Sequence, residues 1–151
     1  MVISQRDFYC GLALTQMMEP GKSLELLERS HSTVLLVCNK NTKDEKTLYM
    51  KYRSTPETGT DSTWNFTFTP EEMKRVQHFQ QKYPNLSFLF VCGKKDWPKS
   101  DIAIFSVKQA MTCLHPFYER PSYRISIRKK SGGRKMEMYG TGVCKSKAVR
   151  I

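Results

Sequence analysis

Lys51, Arg53, Asn65 and Thr67 are the residues of this sequence whose types and spacing come closest to a chemical site. Residues 47–53, TLYMKYR, alternate so that Tyr49, Lys51 and Arg53 share one face and Leu48, Met50 and Tyr52 the other. Residues 63–69, TWNFTFT, do the same, with Asn65, Thr67 and Thr69 opposite Trp64, Phe66 and Phe68. If these two strands are neighbours, their polar faces make one basic, hydrogen-bonding patch; otherwise they are a solvated sheet face. A larger cationic group closes the chain. Residues 124–151 hold nine basic side chains (Arg124, Arg128, Lys129, Lys130, Arg134, Lys135, Lys145, Lys147, Arg150) against one acid, Glu137, and so most of the net charge of +11. Such asymmetry suits a polyanionic partner, nucleic acid and DNA first among them, although a solvated, solubilising tail has the same composition.

Other chemistry finds little support. His31, His78 and His115 stand in no metal-ligand spacing, and none pairs in sequence with a cysteine or serine nucleophile. The five cysteines, Cys10, Cys38, Cys92, Cys113 and Cys144, are scattered without a C-x-x-C pair, so neither zinc nor a disulfide framework is expected. Cys10 lies near Asp7, which argues against an activated thiolate. Gly140-Thr141-Gly142 has neither P-loop nor dinucleotide spacing and reads as a turn whose amides could still meet a phosphate. No cofactor is expected.

The elements that must position these residues follow from periodicity and caps. Ser4 with Asp7 starts a helix whose face carries Phe8, Gly11, Leu12, Thr15 and Met18, and Pro20-Gly21 ends it. Residues 23–29, SLELLER, read as a second short helix, and residues 33–39, TVLLVCN, as a strand buried on both faces. Residues 47–53 and 63–69 are strands joined by a long polar loop. Thr69-Pro70-Glu71-Glu72 is the clearest helix start: Thr69 caps, Pro70 takes the first position and Glu72 closes a capping box. Met73, Val76, Phe79 and Tyr83 form that helix's buried stripe. Residues 86–93 and 101–107 are strands, and Ser106 with Gln109 opens a short helix through Leu114. Finally YRISIRK and RKMEMYG flank Ser131-Gly132-Gly133 as a two-stranded ribbon with a basic tip. The expected fold is α/β in the α+β sense: a mixed sheet with an α-β-β-β-α-β core, helices packed on it and a C-terminal β ribbon. With no linker or repeat in the 151 residues, one domain is expected, residues 123–151 being its basic subregion.

The α-β-β-β-α-β order over residues 4–93 resembles the restriction-endonuclease-like nuclease fold. That family carries an acidic residue near its second core strand and an acid-x-lysine pair on its third, which together hold magnesium and orient water. The resemblance implies that Lys51 lacks its acid, since Tyr49 stands two residues before it, and that residues 63–69, counted as the third strand, have no carboxylate. The nearest acids, Asp44, Glu45, Glu57 and Asp61, lie in turn or loop sequence. Locally, YMKYRS, WNFTF and FLFVCG also resemble small uncharacterised bacterial proteins, a likeness that implies no activity.

With 39% hydrophobic and 26% charged residues, no run of 18 apolar residues and no signal-peptide pattern at the N-terminus, a cytosolic protein without a membrane span is expected. The first expectation for function is a non-catalytic nucleic-acid-binding domain, alone or as a subunit of a larger assembly, contacting phosphates through Lys51, Arg53, Arg124, Arg128, Lys129, Lys130, Arg134 and Lys135. The alternatives are a protein-interaction subunit docking an acidic partner, and a metal-dependent nuclease using unconventional carboxylates.

Overall fold

The chain runs in the order α1 (Gln5–Met17), β1 (Lys22–Glu28), β2 (Thr33–Asn39), β3 (Glu45–Arg53), β4 (Ser62–Phe68), α2 (Pro70–Lys82), β5 (Leu86–Cys92), β6 (Asp101–Ser106), α3 (Val107–Leu114), β7 (Tyr123–Lys129), β8 (Met136–Gly140) and β9 (Val149–Arg150). The structure, a computed structural model, describes residues 1–29 and 32–151. His31 therefore lies outside the described residues. The fold is α+β, as expected, and the C-terminal ribbon is present as the antiparallel β7–β8 pair.

Two differences from expectation bear on the site. Residues 23–29 are not a helix: β1 pairs antiparallel with β2, setting Leu24 opposite Val37 and Leu26 opposite Leu35. Leucine and glutamate in SLELLER favour a helix locally, but β2 offers an open apolar edge, and that tertiary pairing outweighs propensity. The strands also divide between two sheets instead of forming one. The first has the order β1-β2-β3-β5-β6, and the second β4-β7-β8-β9. In the first, β1, β2 and β3 form an antiparallel meander, α2 carries the chain back, β5 runs parallel to β3, and β6 returns antiparallel. β4 leaves this sheet and pairs with β7, so residues 47–53 and 63–69 are not neighbouring strands.

The pleat of the first sheet feeds two cores. Leu48, Met50, Leu89 and Val91 turn towards α1, which buries Tyr9, Cys10 and Ala13. This corrects the expected face of that helix, because Phe8 stays 47% exposed while the next two residues pack. On the opposite side Tyr49, Phe88 and Phe90 meet Trp64, Phe66 and Phe68 of β4, Ile125 and Ile127 of β7, and the buried stripe of α2. Phe66 and Phe90 bring their ring centroids to 4.1 Å. The α2 stripe is Met73, Val76 and Phe79, with Tyr83 as the cap residue that follows. Ser106 and Gln109 form the capping box of α3. Among the described residues no helix is long and apolar enough to cross a membrane.

Candidate functional site

Lys51 does not present its charge to solvent. It lies on the face of β3 that meets the second sheet, where its ammonium donates to the carbonyl oxygen of Thr67 at 2.8 Å and to Glu72 Oε1 and Oε2 at 2.8 and 3.0 Å. The Phe68 ring lies 4.2 Å below it. Burial pulls this ammonium below the usual lysine range, and the Glu72 carboxylate works in the opposite direction. Tyr49, two residues earlier on the same face, donates its hydroxyl to Glu72 Oε1 at 2.7 Å and shares a hydrogen bond of 3.1 Å with Ser32. Its phenol is pushed up by burial and by the carboxylate beside it. Thr69 caps α2 as expected, accepting from the Glu72 amide at 3.1 Å, but the Glu72 side chain turns to Lys51 and Tyr49. The expected capping role of that side chain is thus replaced by a partly buried ion pair, because the Lys51 ammonium lies within reach and has no other carboxylate beside it among the described residues.

The expected patch of Lys51, Arg53, Asn65 and Thr67 does not form. Arg53 is exposed at the end of β3, 3.7 Å from Glu57. Asn65 lies on the outer face of the second sheet, where its side-chain oxygen accepts from the Ser126 hydroxyl at 2.6 Å.

The ribbon cations separate into two groups. Arg128 is buried: its guanidinium donates to Glu137 Oε2 at 2.6 and 3.2 Å and lies 5.6 Å from the centre of the Tyr139 ring. The hydrogen bonds from Arg128 hold the Glu137 carboxyl below its ordinary range. Lys129 is bound to Asp101 of β6 at 3.1 and 3.2 Å, a tie between the two sheets. These two were expected to contact phosphate; cross-strand and cross-sheet carboxylates hold them instead. Lys130 reaches Glu137 only at 3.7 Å and stays 61% exposed. Arg124, Arg134 and Lys135 are exposed and make no ion pair within 4 Å among the described residues.

Arg124 belongs to a groove that the sequence does not announce. Arg120, Arg124, Lys145 and Lys147, with Tyr139 and Thr141, line an open hollow of about 870 Å³ whose walls carry no carboxylate. A second hollow of about 470 Å³ adjoins it through the shared Lys145 and adds Lys130 and Arg128, with Glu137 as its single acid. Four of these cations come from distant segments. They converge because the turn at residues 140–143 docks on the end of α3: the Gly142 amide donates to the Cys113 carbonyl at 2.7 Å and the Thr141 hydroxyl to Leu114 at 2.7 Å. Glycine is required there, since a Cβ on Gly142 would stand 2.5 Å from His115 Cβ, and one on Gly140 would strike the Arg124 carbonyl. The amides of residues 140–143 all donate within the protein, to Val143, Arg124, Cys113 and Gly140 in turn. The alternative in which they cradle a phosphate is therefore closed, and side-chain cations carry the groove's charge.

The remaining candidates are dispersed. Asp44 and Glu45 stand at the start of β3, Glu57 and Asp61 beyond its end; nine strand residues at about 3.3 Å each keep them apart. Asp61 accepts from the Ser131 amide at 2.9 Å and so holds the ribbon tip. Among the described residues no three His, Cys, Asp or Glu side chains are grouped to hold a metal ion. Burial pushes the thiols of Cys10, Cys92 and Cys113 up, the last to about 11. Cys144, exposed in the groove wall, is drawn down by its hydrogen bond with Ser146 and by Lys147. No protein-family model matches the chain, and neither does any curated protein or any solved structure.

Proposed function

We propose that this protein is a non-catalytic nucleic-acid-binding domain that holds the phosphate backbone in the groove of Arg120, Arg124, Lys145 and Lys147. The observation that carries this reading is the convergence of four cations, two from each of two segments, in a concavity lined by no acid. Concave walls of one sign focus field lines and concentrate a polyanion, and each neutralised phosphate releases condensed counterions. Arg124, Lys145 and Lys147 keep their side chains exposed, so their ammonium and guanidinium donors are open to phosphate oxygens.

The non-catalytic part rests on Lys51. The antiparallel meander, the α2 return and the parallel β3–β5 pair support the restriction-endonuclease-like plan, with β4 inserted before α2. On that plan the third core strand is β3, and the acid-x-lysine position reads Tyr49-Met50-Lys51, while β2 holds no carboxylate. The lysine that would orient water is already engaged by Glu72, and a tyrosine stands where a metal-holding acid would be.

Titration of the protein into labelled mixed-sequence DNA and, separately, into poly-glutamate tests the reading. Salt-dependent binding of DNA with weak binding of poly-glutamate supports it. Preference for poly-glutamate at equal charge transfers the groove to an acidic protein partner.

A further inference from the structure

Beside the groove the protein exposes two aromatic rings whose packing leaves most of their surface open. Phe117 is 89% exposed and Tyr118 63% exposed, in the segment between α3 and β7. The segment is held in place at several points. α3 ends at His115, whose left-handed backbone (φ 51°, ψ 63°) turns the chain, and Pro116 follows. Tyr123 donates its hydroxyl to the Tyr118 carbonyl at 3.0 Å, and Arg120 donates to the Thr141 carbonyl at 3.2 Å. The Tyr118 ring stacks on His115 at 4.7 Å between centroids, and His115 Cβ abuts Gly142 in the groove wall. The aromatic pair therefore stands on a fixed base at the groove's rim, Tyr118 two residues before Arg120, which lines the groove. On the far side of Phe117, Gln77, Gln80 and Gln81 of α2 line a hollow with Met111. Their amides can both donate and accept.

We infer that this rim stacks unpaired bases, so that the preferred ligand of the groove is a single-stranded nucleic acid whose phosphates lie on Arg120, Arg124, Lys145 and Lys147 and whose bases lie on Tyr118 and Phe117. The inference rests on the proposed function of the groove and goes beyond it in naming the form of the ligand. In a duplex the bases are already stacked on one another and cannot reach a ring at the rim. In a single strand every base has a free π-face, and an exposed aromatic beside a cationic track is the arrangement that binds it without reading sequence. The glutamine-lined hollow offers hydrogen bonds to the edge of a base that passes Phe117.

The test measures anisotropy of labelled oligo(dT), oligo(rU), a mixed-sequence duplex and inorganic polyphosphate with the wild type and with F117A/Y118A. Both rings are exposed, so the fold is expected to survive; F117W/Y118W restores stacking surface and separates loss of aromatic area from any disturbance of the loop. The expected result is a loss of about 10- to 100-fold in affinity for at least one single-stranded oligomer on alanine substitution. Recovery in the tryptophan variant, with duplex and polyphosphate binding and the salt slope unchanged, completes the expected pattern. Single-strand affinity unchanged by F117A/Y118A, or a wild type that favours duplex, overturns this inference and leaves the groove reading standing. A wild type that binds none of the four probes at low salt overturns both.

Discussion

Lys51 of β3 and Glu72 of α2 are joined at 2.8 Å, tying the first sheet to the helix, with the hydroxyl of Tyr49 on the same carboxylate oxygen. The side chains of the pair are 19% and 14% exposed, so water does little for either charge and each depends on the other together with the Thr67 carbonyl and the Tyr49 hydroxyl. Removing one partner is expected to cost more than removing both. Glu72→Ala should lower stability by about 2–4 kcal/mol, because it leaves the ammonium buried and unpaired, while K51M/E72L should cost clearly less than that single change. Urea unfolding of the three proteins checks this, and a double variant weaker than the single would show that the pair adds net stability.

Tyr49 and Glu137 set opposite limbs of the pH profile. The Tyr49 phenol is raised above its unfolded value of 10.0, so its contribution is full below pH 10 and is lost as pH rises beyond it, where only the unfolded chain ionises. The Glu137 carboxyl is depressed below 4.5 by Arg128, so its contribution is present above that pH and is lost as pH falls. Tyr49→Phe should flatten the alkaline limb of Tm against pH, and Glu137→Gln the acid limb. A Glu137→Gln protein with the wild-type acid slope would contradict the Arg128 assignment.

Cys144 gives a direct report on occupancy of the groove. Its thiol is exposed and drawn down, whereas Cys10, Cys92 and Cys113 are buried and raised. A disulfide reagent near neutral pH should modify Cys144 faster than those three, and saturating oligonucleotide should slow that reaction several-fold. Peptide mapping after a short pulse identifies the labelled thiol. Labelling of Cys144 that bound oligonucleotide leaves unchanged would place the ligand elsewhere.

Incubation with magnesium or manganese and plasmid, single-stranded DNA or RNA should give no cleavage, since Tyr49 stands beside Lys51 and the loop acids Glu57 and Asp61 do not converge with Asp44 and Glu45. Chelator-sensitive cleavage that disappears in Glu57→Ala or Asp61→Ala would overturn this.

Much of the fold was legible where local signals were strong. Thr69-Pro70 and the Met73, Val76, Phe79 stripe placed α2, and the Ser106–Gln109 box placed α3. The site was less legible because it is made by pairing. Lys51, Arg128 and Lys129 carry the same signal in sequence as free cations, and only the register that brings Glu137 opposite Arg128, and the packing that brings Glu72 to Lys51 and Asp101 to Lys129, shows them held in ion pairs. Glu72 satisfied a local capping pattern and so gave no hint of its partner 21 residues away. Arg120, Arg124, Lys145 and Lys147 were visible as charge, Arg120 outside the basic terminal segment, but their meeting depends on the docking of the turn at 140–143 against α3. Residues 23–29 show the same limit in the fold: SLELLER reads locally as a helix, and pairing with the β2 edge decides otherwise.

The most direct test of the groove is a salt series of anisotropy titrations on a mixed-sequence duplex, comparing the wild type, R124A/K145A/K147A and R134A/K135A. With about four phosphates neutralised, log affinity should fall against log salt with a slope of about −3 to −4. The triple groove variant should flatten that slope by about 2 to 3, and the ribbon-tip variant by less than about 1. A triple variant with the wild-type slope, or a tip variant that accounts for the whole loss, would contradict the assignment of the phosphate backbone to the groove.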